Sequence, residues 1–448
     1  MAPTVLLADR LIDGCSTEAI PDAAVVISGE RIAWSGAAVA LPANLAASDN
    51  VLRFPGCSLL PGFVDAHTHF TLFADGRAYQ DMAAESDGIM VLAGVRNAWT
   101  HLAAGVTTAR DNGSRGRNGF MLREAINRGI IAGPRLLVAG PPVTPTGGHF
   151  HWCDGTADGA DELRQQVRRL VSLGADHIKI MASGGGTIGT DPGRPCYTTE
   201  ELRETIATAH DLGKLTTAHC RASEAMRRAT AAGVDCIEHG EFIDPDGVMR
   251  FDETIARLMA EHGTYLSPTL QASGWDTILR CREICEVREL TDREASDLAI
   301  AEQETEERME QIGRLVELGL TDRIIAGTDA GCFDFSFGHI DYAMHLMVQA
   351  GMSPMAAILA STSIAAQALG VHDEIGSLKP GMIADIAVVR GDPLADIHRT
   401  GDIEAVFQRG TQVLAPLGTI EPLDPITPIT RPLSLETEAR DDRATARD

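Results

Sequence analysis

His67 and His69 stand two apart in the run Val64-Asp65-Ala66-His67-Thr68-His69. Alternate residues of a β-strand share a face, so both imidazoles project the same way, and at that spacing they can chelate one divalent ion. By itself the pair is weak, because two polar residues ending a strand read the same way. Other residues strengthen it by where they fall. His219 follows the apolar run Leu215–Ala218, His239 follows Asp235–Glu238, Asp329 follows Ile324–Gly327, and Lys179 lies inside His177–Met181. Five short strands thus each carry a metal-capable side chain at or near their C-terminal ends. Lys179 is the odd member. A protonated ammonium in an apolar strand is costly to bury and is repelled by cations. Either it snorkels or pairs with an acid, or CO₂ carbamylates it into a carboxylate that can bridge two ions.

Together, Pro61–His69 (PGFVDAHTH), Lys179, His219, Glu238-His239-Gly240 and Gly327-Thr328-Asp329-Ala330 resemble the amidohydrolase superfamily. The closer likeness is to its imidazolonepropionase-like and prolidase-like branch, which includes Xaa-Pro and Xaa-Arg dipeptidases, ochratoxin-type amidases, and phenylurea and thiocarbamate hydrolases. The likeness spans nearly the whole chain and is specific for the superfamily, not for a substrate. It implies a metal centre in which His67, His69 and Asp329 hold one ion, His219 and His239 hold another, and carbamylated Lys179 bridges them. One ion or two are both compatible with these residues. Zinc is the expected metal, and cobalt, manganese or iron fit the same ligands.

The chemistry expected of such a site is hydrolysis of a C–N bond. Bound metal brings the pKa of water towards neutrality and polarises a carbonyl. Asp329 is placed to take the proton of the attacking water and pass it to the leaving nitrogen. Four further residues are candidates at the border of the site. His149 and His151 lie in Thr146-Gly147-Gly148-His149-Phe150-His151. The resemblance favours His149 as a contact to the substrate carbonyl or carboxylate, and a surface-loop histidine is the alternative. Tyr197 either hydrogen-bonds substrate or packs in the core. Arg110 either meets a substrate carboxylate or forms a structural ion pair with Asp111 or another acid. Cys220 alternates away from His219 and reads as core. The glycine-rich stretch Ser183–Gly189 lacks a GK[ST] ending, so it reads as a mobile lid and not a phosphate cradle.

These side chains need a scaffold that gathers strand ends. Eight apolar strands alternate with amphipathic helical patterns over residues 61–375, among them Thr199–Leu212 and Ser223–Ala232. That alternation predicts an α/β TIM (β/α)₈ barrel, whose active site lies at the C-terminal mouth of its strands. A doubly wound sheet is the rival arrangement. Residues 1–60 and 376–414 carry alternating apolar bursts divided by Gly and Pro, and predict a small composite β-sandwich domain formed by both termini. Residues 270–320 read as a long charged helical region. From 415 to 448, Pro416, Pro422, Pro425, Pro428 and Pro432 predict a tail or an arm over a neighbour.

The chain has 448 residues and a formal net charge of −25, which opposes binding to nucleic acid or anionic membranes. Nine cysteines without a CxxC pair, and no recognisable leader, predict reduced thiols in the cytoplasm. The expected partner is a small-molecule substrate, and a homo-oligomer is expected. The leading activity is cleavage of an amide, urea, carbamate or N-acyl amino acid. The alternatives are an Xaa-Pro or Xaa-Arg dipeptidase, which needs a cationic anchor for the free carboxylate, and an imidazolonepropionase-like ring opening. A binding protein on a degenerate barrel is opposed by the intact ligand set.

Overall fold

Strands from both ends of the chain meet in one sheet. The computed structural model describes residues 3–46 and 49–413, so the proposed tail at 415–448 lies outside the described residues. Seven strands hydrogen-bond in the order β14-β13-β12-β4-β1-β2-β3. They are β1 (Thr4–Leu11), β2 (Ile20–Ser28), β3 (Arg31–Ala37), β4 (Asn50–Pro61), β12 (Ile386–Arg390), β13 (Ile403–Gln408) and β14 (Thr411–Val413). The sequence predicts a small composite β-sandwich domain formed by both termini, and strands from both ends do hydrogen-bond in one continuous series. The reason is the length of β4. It pairs parallel with β1 from Asn50 to Leu59, with a register shift between Ala8 and Arg10, and on its other edge Cys57–Pro61 pair antiparallel with β12. One twelve-residue strand thereby ties the N-terminal strands to the C-terminal ones. Leu6, Val25, Leu59, Ile386 and Phe407 form the core of this layer.

The middle of the chain holds two wholly parallel sheets. One is β5 (Phe63–Thr68), β6 (Val106–Asp111) and β7 (Arg135–Val138). The other is β8 (His177–Met181), β9 (Leu215–Ala222), β10 (Cys236–Ile243) and β11 (Tyr265–Ser267). Every residue of β5, β6, β8 and β10 is buried, as parallel strands covered on both faces require. Helices intervene between successive strands, including Asp87–Ala103, Gly159–Ser172, Thr199–Asp211 and Glu253–His262. Thr199–Asp211 begins at a capping box, in which Thr198 accepts from the Glu201 backbone and Glu201 reaches back to Thr198. The charged region resolves into two helices, Trp275–Val287 and Asp292–Glu317.

Backbone hydrogen bonds also join the two parallel sheets. Val143 N–H donates to Lys179 O and Met181 N–H to Val143 O, both at 2.8 Å. On the far side, Ile325 N–H donates to Leu266 O and Ala66 N–H to Ala326 O, both at 2.9 Å. The predicted strand Ile324–Gly327 is therefore paired on both flanks, yet it is not a regular strand. Only Ile324 and Ala330 form bridges. The segment is squeezed at Gly327, where a Cβ would lie 2.3 Å from Ser267 Oγ and 2.8 Å from His67 Cβ.

All nine cysteines are free thiols. Among the described residues, no helix is long and apolar enough to cross a membrane.

Candidate metal centre

The six residues singled out as ligands line one cleft: His67, His69, Lys179, His219, His239 and Asp329. All six are buried. The cleft holds about 600 Å³ of empty space, part of it open to solvent, which suits a small molecule. The His67 and His69 rings stand 5.3 Å apart, His67 and His239 5.0 Å, and His219 and His239 4.4 Å. Asp329 Oδ1 lies 3.3 Å from the Nε2 atoms of both His67 and His69. Ligand atoms of His67, His239 and Asp329 fall within 4.8 Å of one another.

Each imidazole has one nitrogen engaged by the protein. His67 Nδ1 is 2.6 Å from Glu238 Oε2, and His69 Nδ1 is 3.1 Å from Gly113 O. His219 Nε2 is 3.0 Å from Gly184 O, and His239 Nδ1 is 2.8 Å from Thr269 Oγ1. The second nitrogen of each ring is left for an ion, which is how protein partners fix the tautomer of a metal-binding histidine. Burial pulls the pKa of His67, His219 and His239 below the ordinary value, which favours the neutral ring that offers a lone pair, whereas at His69 the neighbouring Cys332 and Asp329 outweigh burial and raise it.

Lys179 supplies the clearest sign that something is to be bound. Its Nζ is buried and has no hydrogen-bond partner, a costly state for an amine. Burial lowers its pKa, against the pull of Glu238 and Asp329, and a neutral amine is the form that reacts with CO₂. Asp329 is held below the usual carboxylate range because His67 and His69 outweigh the effect of burial. His239 and Asp329 both adopt left-handed backbone, with φ of 69° and 61°. Such strained positions persist where surrounding structure enforces them and cluster at functional sites. Strand β10 shifts register against β9 between His239 and Ile243, a stretch in which His239, Gly240 and Phe242 all take positive φ. Nitrogen and carboxylate donors, a tied second nitrogen on each ring and an orphaned buried amine together fit a divalent metal centre.

His149 joins the same cleft, its ring 4.7 Å from that of His219. The Thr187 backbone N–H points at His149 Nδ1 from 3.3 Å, and Thr187 Oγ1 lies 2.8 Å from it. Nδ1 is thus an acceptor and Nε2 carries the proton. Burial drops the pKa of His149 to about 3, so it is a neutral hydrogen-bond donor. Three other candidates are placed away from the cleft. The Tyr197 hydroxyl donates to Ala157 O at 3.0 Å in the core. His151 is exposed, with Nδ1 2.9 Å from Gly148 O. Arg110 is buried, donating to Glu238 Oε1 at 2.6 Å and to Ala66 O at 2.7 Å. Its acid is Glu238, not Asp111, and it does not line the cleft.

Sequence reasoning gave no role to Glu238, although it stands beside His239. Glu238 is fully buried and accepts from His67, Arg110 and Thr217. Arg221 and Cys332 also line the cleft. Arg221 lies two residues beyond His219 on β9, so strand alternation was the available signal. Cys332 follows an irregular turn and carries no periodic signal. The glycine-rich loop packs over the cleft: a Cβ on Gly186 would be 2.6 Å from Phe333, and one on Gly185 would be 2.7 Å from His149 Nε2.

Two parallel sheets and a buried cleft of histidine, aspartate and lysine side chains define an α/β protein with a candidate metal centre. Residues 58–413 match the amidohydrolase family, and the chain belongs to that family. It is an enzyme of the class acting on C–N bonds. It is 27% identical over 437 residues to an ochratoxinase of Aspergillus niger, covering 90% of this chain and 84% of that one. An imidazolonepropionase of Cutibacterium acnes is 24% identical over 381 residues, 82% of this chain and 83% of its own. Among solved structures, a Xaa-Pro dipeptidase with bound methionine superposes with a TM-score of 0.77 at 28% identity, covering 92% of this chain and 99% of that one. Likeness of this extent implies a TIM barrel with an extra domain.

Proposed function

We propose that this protein hydrolyses the C–N bond of a small amide, urea, carbamate or N-acyl amino acid, with water as the attacking group. The observation that carries the reading is the convergence of six ligand-type side chains, from five separate stretches of chain, on one cleft. In this reading the parallel sheets and the paired segment 324–330 are the staves of a closed (β/α)₈ barrel, with the ligands at its mouth. His67, His69 and Asp329 would hold one ion, His219 and His239 a second, and Lys179, as the carbamate, would bridge them. A bound divalent ion, zinc in this reading, supplies ionised water near neutral pH and an electrophile for the scissile carbonyl. The chain's own groups do the rest. Asp329, poised between two imidazoles, takes the proton of the attacking water and delivers it to the leaving nitrogen. His149 donates from Nε2 to the carbonyl oxygen, where charge develops as the carbonyl is attacked. Glu238 holds the His67 ring, and Arg110 holds Glu238.

A second reading, a dipeptidase, is favoured by Arg221. Its guanidinium borders the cleft, as a free carboxylate would require, although Glu241 already pairs with it. The test is a hydrolysis screen of amide, ureide, carbamate and dipeptide sets on metal-reconstituted protein, with metal content measured on the same sample. Between one and two equivalents of metal and turnover in one of these sets is the expected result. A protein with no metal, unresponsive to added zinc, cobalt or manganese, would overturn the reading.

A further inference from the structure

Among the described residues, Cys332 is the one cysteine that lines the metal cleft. It is buried, and its sulfur, a ring nitrogen of His69 and a carboxylate oxygen of Asp329 lie within 4.8 Å of one another. Two bonds of about 2.0–2.3 Å to one ion span about 4–4.6 Å end to end, so three donors so spaced can share an ion after small side-chain adjustments. We propose that Cys332 is a further ligand, as thiolate, to the ion held by His69 and Asp329. The inference rests on the metal-centre reading above and goes beyond its ligand set.

The chain is built to bring this sulfur there. After Asp329, at φ 61°, the backbone turns again at Gly331, at φ 108°. His69 N–H donates to Ala330 O at 2.8 Å, which pins the turn against the end of β5. A Cβ on Gly331 would lie 2.2 Å from His69 O, so only glycine lets the two segments approach this closely. Cys332 is thereby returned to the histidine side of the cleft three residues after Asp329. A second observation points to a ligand in the same place: the Lys179 amine, buried and unpartnered, borders the same space. A buried cysteine often acts simply as a small apolar residue. Cys153, in the same aromatic cluster, fits that description, because it does not reach the cleft.

Binding exchanges the S–H bond for a sulfur–metal bond and releases one proton to the buffer. The consequence is selectivity: a thiolate ligand favours zinc or cobalt over manganese. The experiment uses the full chain with its metal replaced by cobalt. A near-ultraviolet thiolate-to-cobalt charge-transfer band is expected. It should be lost in Cys332→Ser and kept in Cys153→Ser, with metal affinity in Cys332→Ser lowered at least about tenfold. Cobalt-bound protein without the band, or a band that survives in Cys332→Ser, overturns the ligand while leaving the metal centre standing. A protein that takes up no cobalt overturns both. Should Cys332→Ser fail to fold, cadmium-113 resonances of the unmodified protein decide. A shift into the range of sulfur-containing coordination supports the ligand, and shifts confined to nitrogen and oxygen coordination overturn it.

Discussion

Asp329 and Lys179 are the residues on which the proposed chemistry turns, and each has a substitution that separates its roles. Asp329 lies 3.3 Å from two imidazoles and is also the proposed proton carrier. Asp329→Asn keeps the shape and the oxygen but removes the basic site. Turnover should fall by about 10²-fold or more, the scale of a lost general acid–base, while a substrate analogue still binds with similar affinity. Metal measured on the same sample separates lost chemistry from a lost ligand. Near-normal turnover in metal-replete Asp329→Asn would show that another group moves the proton. His149 is then a poor substitute, since burial keeps its pKa near 3. Lys179→Ala removes the orphaned amine and with it the proposed bridge. Activity should be abolished and partly restored by short carboxylic acids, which offer two oxygens in the vacated space. Full activity without any added acid would rule out the bridge.

Strand ends and the loops after them decide how these residues meet, and here the sequence was legible only in part. Period-two alternation puts His67 and His69 on one face, and the ends of apolar runs locate His219 and His239. The same alternation could have flagged Arg221, two positions after His219. What could not be read is whatever depends on a turn or on distant partners. Cys332 reaches His69 only because Asp329 and Gly331 take positive φ. Arg110 finds its acid 128 residues away, and nothing near it in the chain names Glu238. Ile324–Gly327 has a strand's composition, but it is crowded at Gly327 and forms a single bridge, at Ile324. The loop after β8 gives a test at this scale. Gly184 O is the acceptor for His219 Nε2, and a Cβ on Gly184 would fall 2.3 Å from Asp191 O, a backbone atom. Gly184→Ala should displace the loop, release the His219 ring and weaken the metal held there by about 10–100-fold, the usual effect of losing such a support. Equilibrium metal titration reads this directly. Unchanged affinity would mean that Gly184 does not orient His219.

Taken over the whole molecule, the ligands join distant parts of the chain, from His67 on β5 through Lys179, His219 and His239 to Asp329. An ion shared among them, as proposed, would cross-link the two parallel sheets through side chains, in addition to the backbone bonds at Val143 and at Ile325. Such an ion binds the folded chain and has no comparable site in the unfolded one, so it stabilises by mass action: about 2.7 kcal/mol at a hundredfold excess over Kd. Dialysis against a chelator is therefore expected to lower the thermal midpoint by a few degrees, since each kcal/mol moves a chain this large by about 2 °C or less. Added zinc or cobalt should raise the midpoint again, progressively with concentration. The measurement is scanning calorimetry at one fixed heating rate, with metal content determined on each sample, because unfolding of large chains is often irreversible. The dependence on concentration is the decisive part. A non-specific effect of divalent cations on a surface of charge −25 would be mimicked by magnesium or calcium and suppressed by salt. Binding at the buried histidines would show neither behaviour, and a midpoint indifferent to chelator and zinc alike would place the metal outside the fold's stability altogether.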